Sequence, residues 1–164
     1  MMEMMGVYQI FSQMGAQSKP TGILKVINSS GSVLEEYQDH KVQVISSEIS
    51  FLITHILADN NARTLAFGSN SLLNLAGTAV KTGTSDNKRD NWTFGYTPDF
   101  VVGVWVGNND NSPMNPQLSS GVTGAAPIWN KIMAGILAVH PSLGFAKPAG
   151  IAEAVIDGRR DLAI

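Results

Sequence analysis

The sequence predicts an α+β fold, an antiparallel β-sheet flanked by helices. Three observations carry this. In three stretches apolar residues recur every three or four positions, the period of a helix with one buried face. Between these stretches lie short runs rich in Val, Ile, Thr, Trp, Tyr and Phe, the residues of strands. The runs are joined by Pro-, Gly- and Asn-containing turns, short enough to force antiparallel pairing.

At the start, Met1, Met4, Met5, Tyr8 and Phe11 or Ile10 form an apolar stripe on a helix that Gly15 closes. Ile23 to Ile27 and Ser32 to Tyr37 flank Asn28-Ser29-Ser30-Gly31, a hairpin with a four-residue loop. Ser46 or Ser47 caps a second helix. Glu48 in its first turn meets the positive end of the dipole, and Ile49, Leu52, Ile53, Ile56 and Leu57 make its apolar face. His55 in this helix has no acidic or nucleophilic partner at helical spacing, which marks it as a surface histidine rather than a catalytic one. Residues 59–77, rich in Asn, Ser and Gly, predict a long irregular connection of the kind shaped around a site.

Three strands follow: Thr78 to Thr84, Asn91 to Thr97, and Phe100 to Gly107. The last two join through Thr97-Pro98-Asp99-Phe100, with Pro98 at a turn position that wants φ near about −65°. Pairing Thr97 with Phe100 sets Tyr96 opposite Val101, Phe94 opposite Gly103 and Trp92 opposite Trp105, an aromatic ladder in which Gly103 makes room for Phe94. Val102, Val104 and Val106 line the other face, so both faces call for cover, and Trp92 and Trp105 are packing residues. Asn108 to Pro116 is polar turn sequence without the acidic spacing of a calcium loop. Thr123 caps a last helix from Gly124 to Val139, burying Ile128, Trp129, Ile132, Met133, Ile136 and Leu137. Beyond His140-Pro141 the chain is punctuated by Gly and Pro. The expected organisation is one domain part over 1–140 and a linker or tail over 141–164.

Composition excludes several classes. The 164 residues are enough for one core, and 44% apolar content with 15% charge describes a folded chain. A net charge of −2 offers no basic surface, so nucleic acid is not an expected partner. With no cysteine there is no disulfide, zinc-thiolate site or cysteine nucleophile, and neither a metal nor a cofactor is expected. Apolar runs such as Phe100 to Val106 are too short to cross a bilayer, and MMEMMGVYQIF lacks the basic start of a signal peptide.

The chemistry concentrates in Lys81-Thr82-Gly83-Thr84. On a strand, Thr82 and Thr84 share one side while Lys81 and Gly83 face the other. Two hydroxyls beside an ammonium make a receptor for a carboxylate, with charge from Lys81 and direction from the threonines. Gly83 lets a ligand approach without a Cβ in the way. An unpaired edge could hydrogen-bond an extended peptide, and the Thr84 N–H could point at a developing oxyanion.

Around this strand stand Asp59-Asn60-Asn61-Ala62-Arg63, Ala66-Phe67-Gly68, Ala79 to Ser85, Arg89-Asp90-Asn91-Trp92, Gly95-Tyr96-Thr97-Pro98, Val102 to Asn108, Pro113-Met114 and Ser120 to Trp129. Together they resemble the C-terminal half of the transpeptidase domain of class A, bifunctional penicillin-binding proteins, nearest the 1C-type branch. The likeness runs from about residue 1 to 150, and the segments GVYQIFSQMG and ILKVINSSGSVL share it.

This resemblance implies a partial penicillin-binding-protein and serine β-lactamase-like fold, its antiparallel sheet sandwiched by helices. It also implies an activity that cross-links peptidoglycan stem peptides through an acyl-serine intermediate. By motif match, Lys81 would polarise the site, and Thr82 and Thr84 would bind the carboxylate of D-Ala-D-Ala or of a β-lactam beside Gly83. The Thr84 N–H would form half of the oxyanion hole, the nucleophile's own N–H the other half. The implied partners are the stem peptide, β-lactams and a glycosyltransferase domain of the same polypeptide, and the implied location is extracytoplasmic.

The family's nucleophile motif S-x-x-K and its second motif S-x-N are expected upstream of this chain. Ser85-Asp86-Asn87-Lys88 spells both, but the two patterns overlap and follow the strand directly. A nucleophile of this class opens a buried helix with its lysine one turn on. Ser85 is therefore expected in a solvated turn, the chain is expected to hold no nucleophile, and a sheet without its first strands is expected to leave an exposed edge prone to aggregation. Two other readings share K-T-G: a β-lactamase-like hydrolase fragment, and a non-catalytic peptide-binding or structural domain derived from the same fold.

Overall fold

The computed structural model describes residues 1–115 and 120–164. Helix α1 spans Met2–Ser12, and Gly15 turns the chain out of it at φ +94. Only glycine fits there, because a Cβ would stand 2.2 Å from the Ile45 carbonyl oxygen. Short strand β1 (Ala16–Gln17) pairs with β4 (Val42–Gln43), and between them β2 (Lys25–Ile27) and β3 (Val33–Glu36) form the expected exposed hairpin. The Asn28 carboxamide organises its loop by accepting from the amides of Ser30 and Ser32. Helix α2 (Ser47–Ala58) is capped by Ser46, whose hydroxyl accepts from the Ile49 amide at 3.2 Å.

The central sheet is β5 (Ala79–Thr84), β6 (Asp90–Tyr96) and β7 (Val101–Gly107), antiparallel in the order β5-β6-β7. Its register pairs Trp92 with Trp105, Phe94 with Gly103 and Tyr96 with Val101, as the alternation predicts. The reversal at Pro98 is held locally by Thr97, whose hydroxyl accepts from the amides of Asp99 and Phe100. It is held from outside by the end of α1, where the Ser12 hydroxyl donates to the Thr97 carbonyl at 2.7 Å.

One face of the sheet is covered by α1: the Tyr8 ring stacks on Phe94 at 5.0 Å, and Phe94 stacks on Trp92 at 5.6 Å. The opposite face is covered by α4 (Ala125–Val139), which presses the fully buried Trp129 and Met133 onto Val80, Val102 and Val104. Burial of the Met133 side chain is worth roughly 1.5–3 kcal/mol. Gly95 is what lets Trp129 sit so low, since a Cβ there would lie 2.3 Å from the indole. Helix α2 leans on the strands through a buried pair, Thr54 Oγ1 and Tyr96 Oη at 2.9 Å, and burial pushes the Tyr96 phenol up to about 12.

Several expectations are corrected. Within 59–77 the chain forms helix α3 (Asn60–Phe67), capped by Asp59 through the Asn61 amide at 2.8 Å, and only the rest of the stretch is irregular. Helix α2 buries Ser50, Phe51 and Thr54, whereas Ile49 and Ile56 are exposed. Its neighbours present polar groups, and Ser50 donates to the Phe11 carbonyl while Thr54 meets Tyr96. In α4, Ile128 and Ile132 face outward, and the cap position is Gly124, with the Thr123 hydroxyl turned to Ser120. Residues 141–164 hold an antiparallel hairpin, β8 (Ala152–Ile156) with β9 (Arg159–Ala163). The stretch leading to it is packed, with Phe145 edge-on to Tyr96, Ile151 buried and Ser142 bonded to the Gly77 carbonyl. Pro116, the end of the polar turn sequence, lies outside the described residues.

Candidate functional site

Strand β5 begins in the core and ends outside it. Ala79 and Val80 are buried, Val80 under α4, while Lys81 and Thr84 are exposed. Among the described residues its only strand partner is β6, leaving the other edge of β5 unpaired. Which groups point outward follows from one bond: the Ser85 amide donates to the Asp90 carbonyl at 3.0 Å. In an antiparallel ladder hydrogen-bonded pairs alternate with non-bonded ones, so Gly83 and Lys81 spend their backbone groups on β6. Thr82 and Thr84 turn theirs to the free edge. The Lys81 ammonium reaches round and donates to the outward Thr82 carbonyl at 2.6 Å.

The pleat separates the side chains as the alternation predicts. Lys81 and Gly83 lie on the α1 face, beside a cavity of about 390 Å³ lined by Met4, Tyr8, Trp92 and Phe94. A Cβ at Gly83 would make only an ordinary 3.7 Å contact with Trp92, so internal packing does not demand glycine there. A second cavity of about 250 Å³ meets Val80, Lys81 and Thr82 from the side of α2 and α3, with Leu57, Arg63 and Phe67 in its wall. Arg63 is held in that wall by donating to the Leu57 and Asp59 carbonyls.

Thr82 and Thr84 lie on the α4 face, under the segment that leads into α4. The Gly121 amide donates to Thr84 Oγ1 at 3.0 Å, and Thr93 Oγ1 donates to the Gly121 carbonyl at 3.2 Å. Neither Gly121 nor Thr93 was a candidate from the sequence. Their only signal was that Gly121 falls in the Ser120 to Trp129 string.

Ser85 sits in a turn, as expected. Its hydroxyl donates to Asp90 Oδ2 at 2.7 Å and accepts from the Asp90 amide at 2.9 Å, and a single tight turn, Asp86–Lys88, follows. Ser85, then the Trp105 indole N–H at 2.8 Å, hold the Asp90 carboxyl below its ordinary range. The Ser85 oxygen is thus a structural clasp on Asp90. Among the described residues no three His, Asp or Glu side chains form a metal-holding group, and no helix is long and apolar enough to cross a membrane.

No protein-family model matches the chain. Individual proteins do. Penicillin-binding protein 1A of Clostridium tetani is 32% identical over 160 residues, covering 93% of this chain, and its counterpart in Aquifex aeolicus is 29% identical over 147 residues, covering 90%. The chain is homologous to these penicillin-binding proteins 1A. Penicillin-binding protein 2D of Bacillus subtilis is a further relative, 29% identical over 94% of this chain. The chain spans about a fifth of the length of these curated relatives. These relatives bear the names 1A and 2D, and those names do not carry the 1C-type branch expected from the sequence.

The fold is that of solved penicillin-binding proteins. Penicillin-binding protein 1A of Haemophilus influenzae superposes with a TM-score of 0.83 at 22% identity, over 98% of this chain and 31% of that one. The PonA1 protein of Mycobacterium tuberculosis, solved in complex with penicillin V, superposes with a TM-score of 0.71 at 25% identity, over 88% of this chain and 39% of that one.

Proposed function

We propose that this chain is the C-terminal part of the transpeptidase domain of a bifunctional penicillin-binding protein, supplying the K-T-G-T strand on which a peptidoglycan stem peptide is bound for cross-linking. The observation that carries this reading is the free edge of β5. It offers the outward backbone groups of Thr82 and Thr84, two hydroxyls on one side and an ammonium on the other, along one strand between two cavities. An extended peptide ending in D-Ala-D-Ala suits that edge: the strand bonds its backbone, and Thr82 and Thr84 bind its terminal carboxylate. Lys81 raises the local positive potential.

In the proposed reaction a serine hydroxyl elsewhere in the polypeptide adds to the penultimate D-Ala carbonyl. The carbonyl oxygen gains negative charge, and the outward N–H of Thr84 donates to it, jointly with the serine's own N–H. A single donor of this kind is worth about 10²–10³ in rate. The tetrahedral adduct collapses with loss of D-Ala, and the amine of a second stem peptide then displaces the serine. A β-lactam enters the same site with its ring carbonyl in place of the peptide bond. A glycosyltransferase domain and an extracytoplasmic location complete the proposal.

Labelling with fluorescent penicillin tests it. The polypeptide that includes this chain together with an upstream S-x-x-K serine takes up label. Residues 1–164 alone take up none, because Ser85 is clasped to Asp90. A covalent penicilloyl adduct on Ser85, found by mass spectrometry, would refute the assignment.

A further inference from the structure

We infer that Gly121 is a positioning residue for the K-T-G-T edge: its backbone sets the direction in which the Thr84 hydroxyl donates. A hydroxyl has one proton and two acceptor sites, and its rotor settles according to its partners. Here the Gly121 amide donates to Thr84 Oγ1 at 3.0 Å, occupying an acceptor site. The threonine's own proton is then left to donate away from Gly121, and Thr84 is an exposed residue. The hydroxyl is therefore presented to an incoming group as a donor, the polarity a carboxylate requires and an amide N–H does not.

Gly121 can do this because it is held on two more sides. Its carbonyl accepts from the Ala126 amide at 3.0 Å and from Thr93 Oγ1 at 3.2 Å, and its amide donates to Thr84, so both backbone polar groups of Gly121 are engaged. It also has no room for a side chain, since a Cβ would stand 2.9 Å from Thr82 Cβ and 3.1 Å from the Gly83 carbonyl oxygen. The second of these is strand backbone, so alanine at 121 has to shift the segment away from the strand, which strains the bond to Thr84. The inference rests on the carboxylate-binding role proposed for Thr84.

The test uses residues 1–164, amide hydrogen exchange by NMR, and two probes: N-acetyl-D-Ala-D-Ala and its C-terminal carboxamide. The Gly121 amide is expected to exchange slowly, to exchange at least about tenfold faster in Thr84→Val, and to recover in Thr84→Ser, while the Phe94 and Val102 amides stay protected in all three. Gly121→Ala is expected to weaken the free acid roughly fivefold or more and to leave the weaker carboxamide little changed. A Gly121 amide that exchanges freely in the parent chain, or is indifferent to Thr84→Val, overturns the inference, as does Gly121→Ala binding the acid like the parent. A parent chain with Thr84-dependent protection that ignores both probes supports the clamp on the hydroxyl and refutes the carboxylate role of the strand.

Discussion

Phe94 and Gly103 face each other across β6 and β7 so closely that a Cβ on Gly103 would stand 2.7 Å from the Phe94 ring. Phe94 in turn carries the Tyr8 stack that fixes α1 to the sheet. Gly103→Ala therefore pushes the ring into Tyr8 or the strands apart. Overpacking of this kind costs about 1–3 kcal/mol, which a urea denaturation midpoint will register. The double variant Gly103→Ala, Phe94→Leu should recover part of the loss; equal loss in both would mean the ring contact is not the cause.

Lys81 stands on the edge strand with its ammonium already drawn to the Thr82 carbonyl. In a polypeptide that takes up penicillin label, Lys81→Ala should slow acylation by at least about tenfold, the scale of losing one charged partner of a desolvated carboxylate. Acylation at the parent rate, followed by stopped-flow fluorescence, would remove Lys81 from the site.

Asp90 joins the turn after β5 to β7, accepting from Ser85 and Trp105. Its carboxyl is held below the ordinary range, first by Ser85 and then by Trp105. A depressed folded-state pKa adds stability above the unfolded value, near 3.9, and that stability is lost as pH falls through the folded value. Parent and Asp90→Asn should accordingly differ most in melting temperature from neutral pH down to about 5, and converge as pH falls through the depressed folded value. A gap that stays constant to pH 2 would mean the charge at Asp90 is irrelevant.

The sheet was legible because its determinants are local. Pro98 placed the reversal, and once Thr97 faced Phe100 the two-residue period fixed every pair down to Trp92 and Trp105. Helix α3 was hidden for the opposite reason. It buries no residue and leaves Leu65 fully exposed, so it has no apolar stripe to detect, only the Asp59 cap. The faces of α2 and α4 misled because the period reports where apolar residues fall, while the fold buried the side that fits its neighbours: small Ser50 against α1, Ala125 and Ala126 against the sheet. At the site, K-T-G-T could be read from its letters. Gly121 could not, since its bond to Thr84 spans 37 residues and is made by a backbone amide every residue but proline possesses.

The pleat of β5 sends Lys81 and Gly83 toward α1, and Thr82 and Thr84 toward the Gly121 segment. Two remote parts of the chain thus hold separate controls over one strand. Changes in α1 reach the ammonium and the aromatic cavity, and changes near residue 121 reach the hydroxyls. The Lys81 bond to the Thr82 carbonyl joins the two sides, and substitutions far from it and from each other combine close to additively. Such a strand can be retuned in charge and in donor geometry independently, one modest step at a time, with none of its own four letters altered.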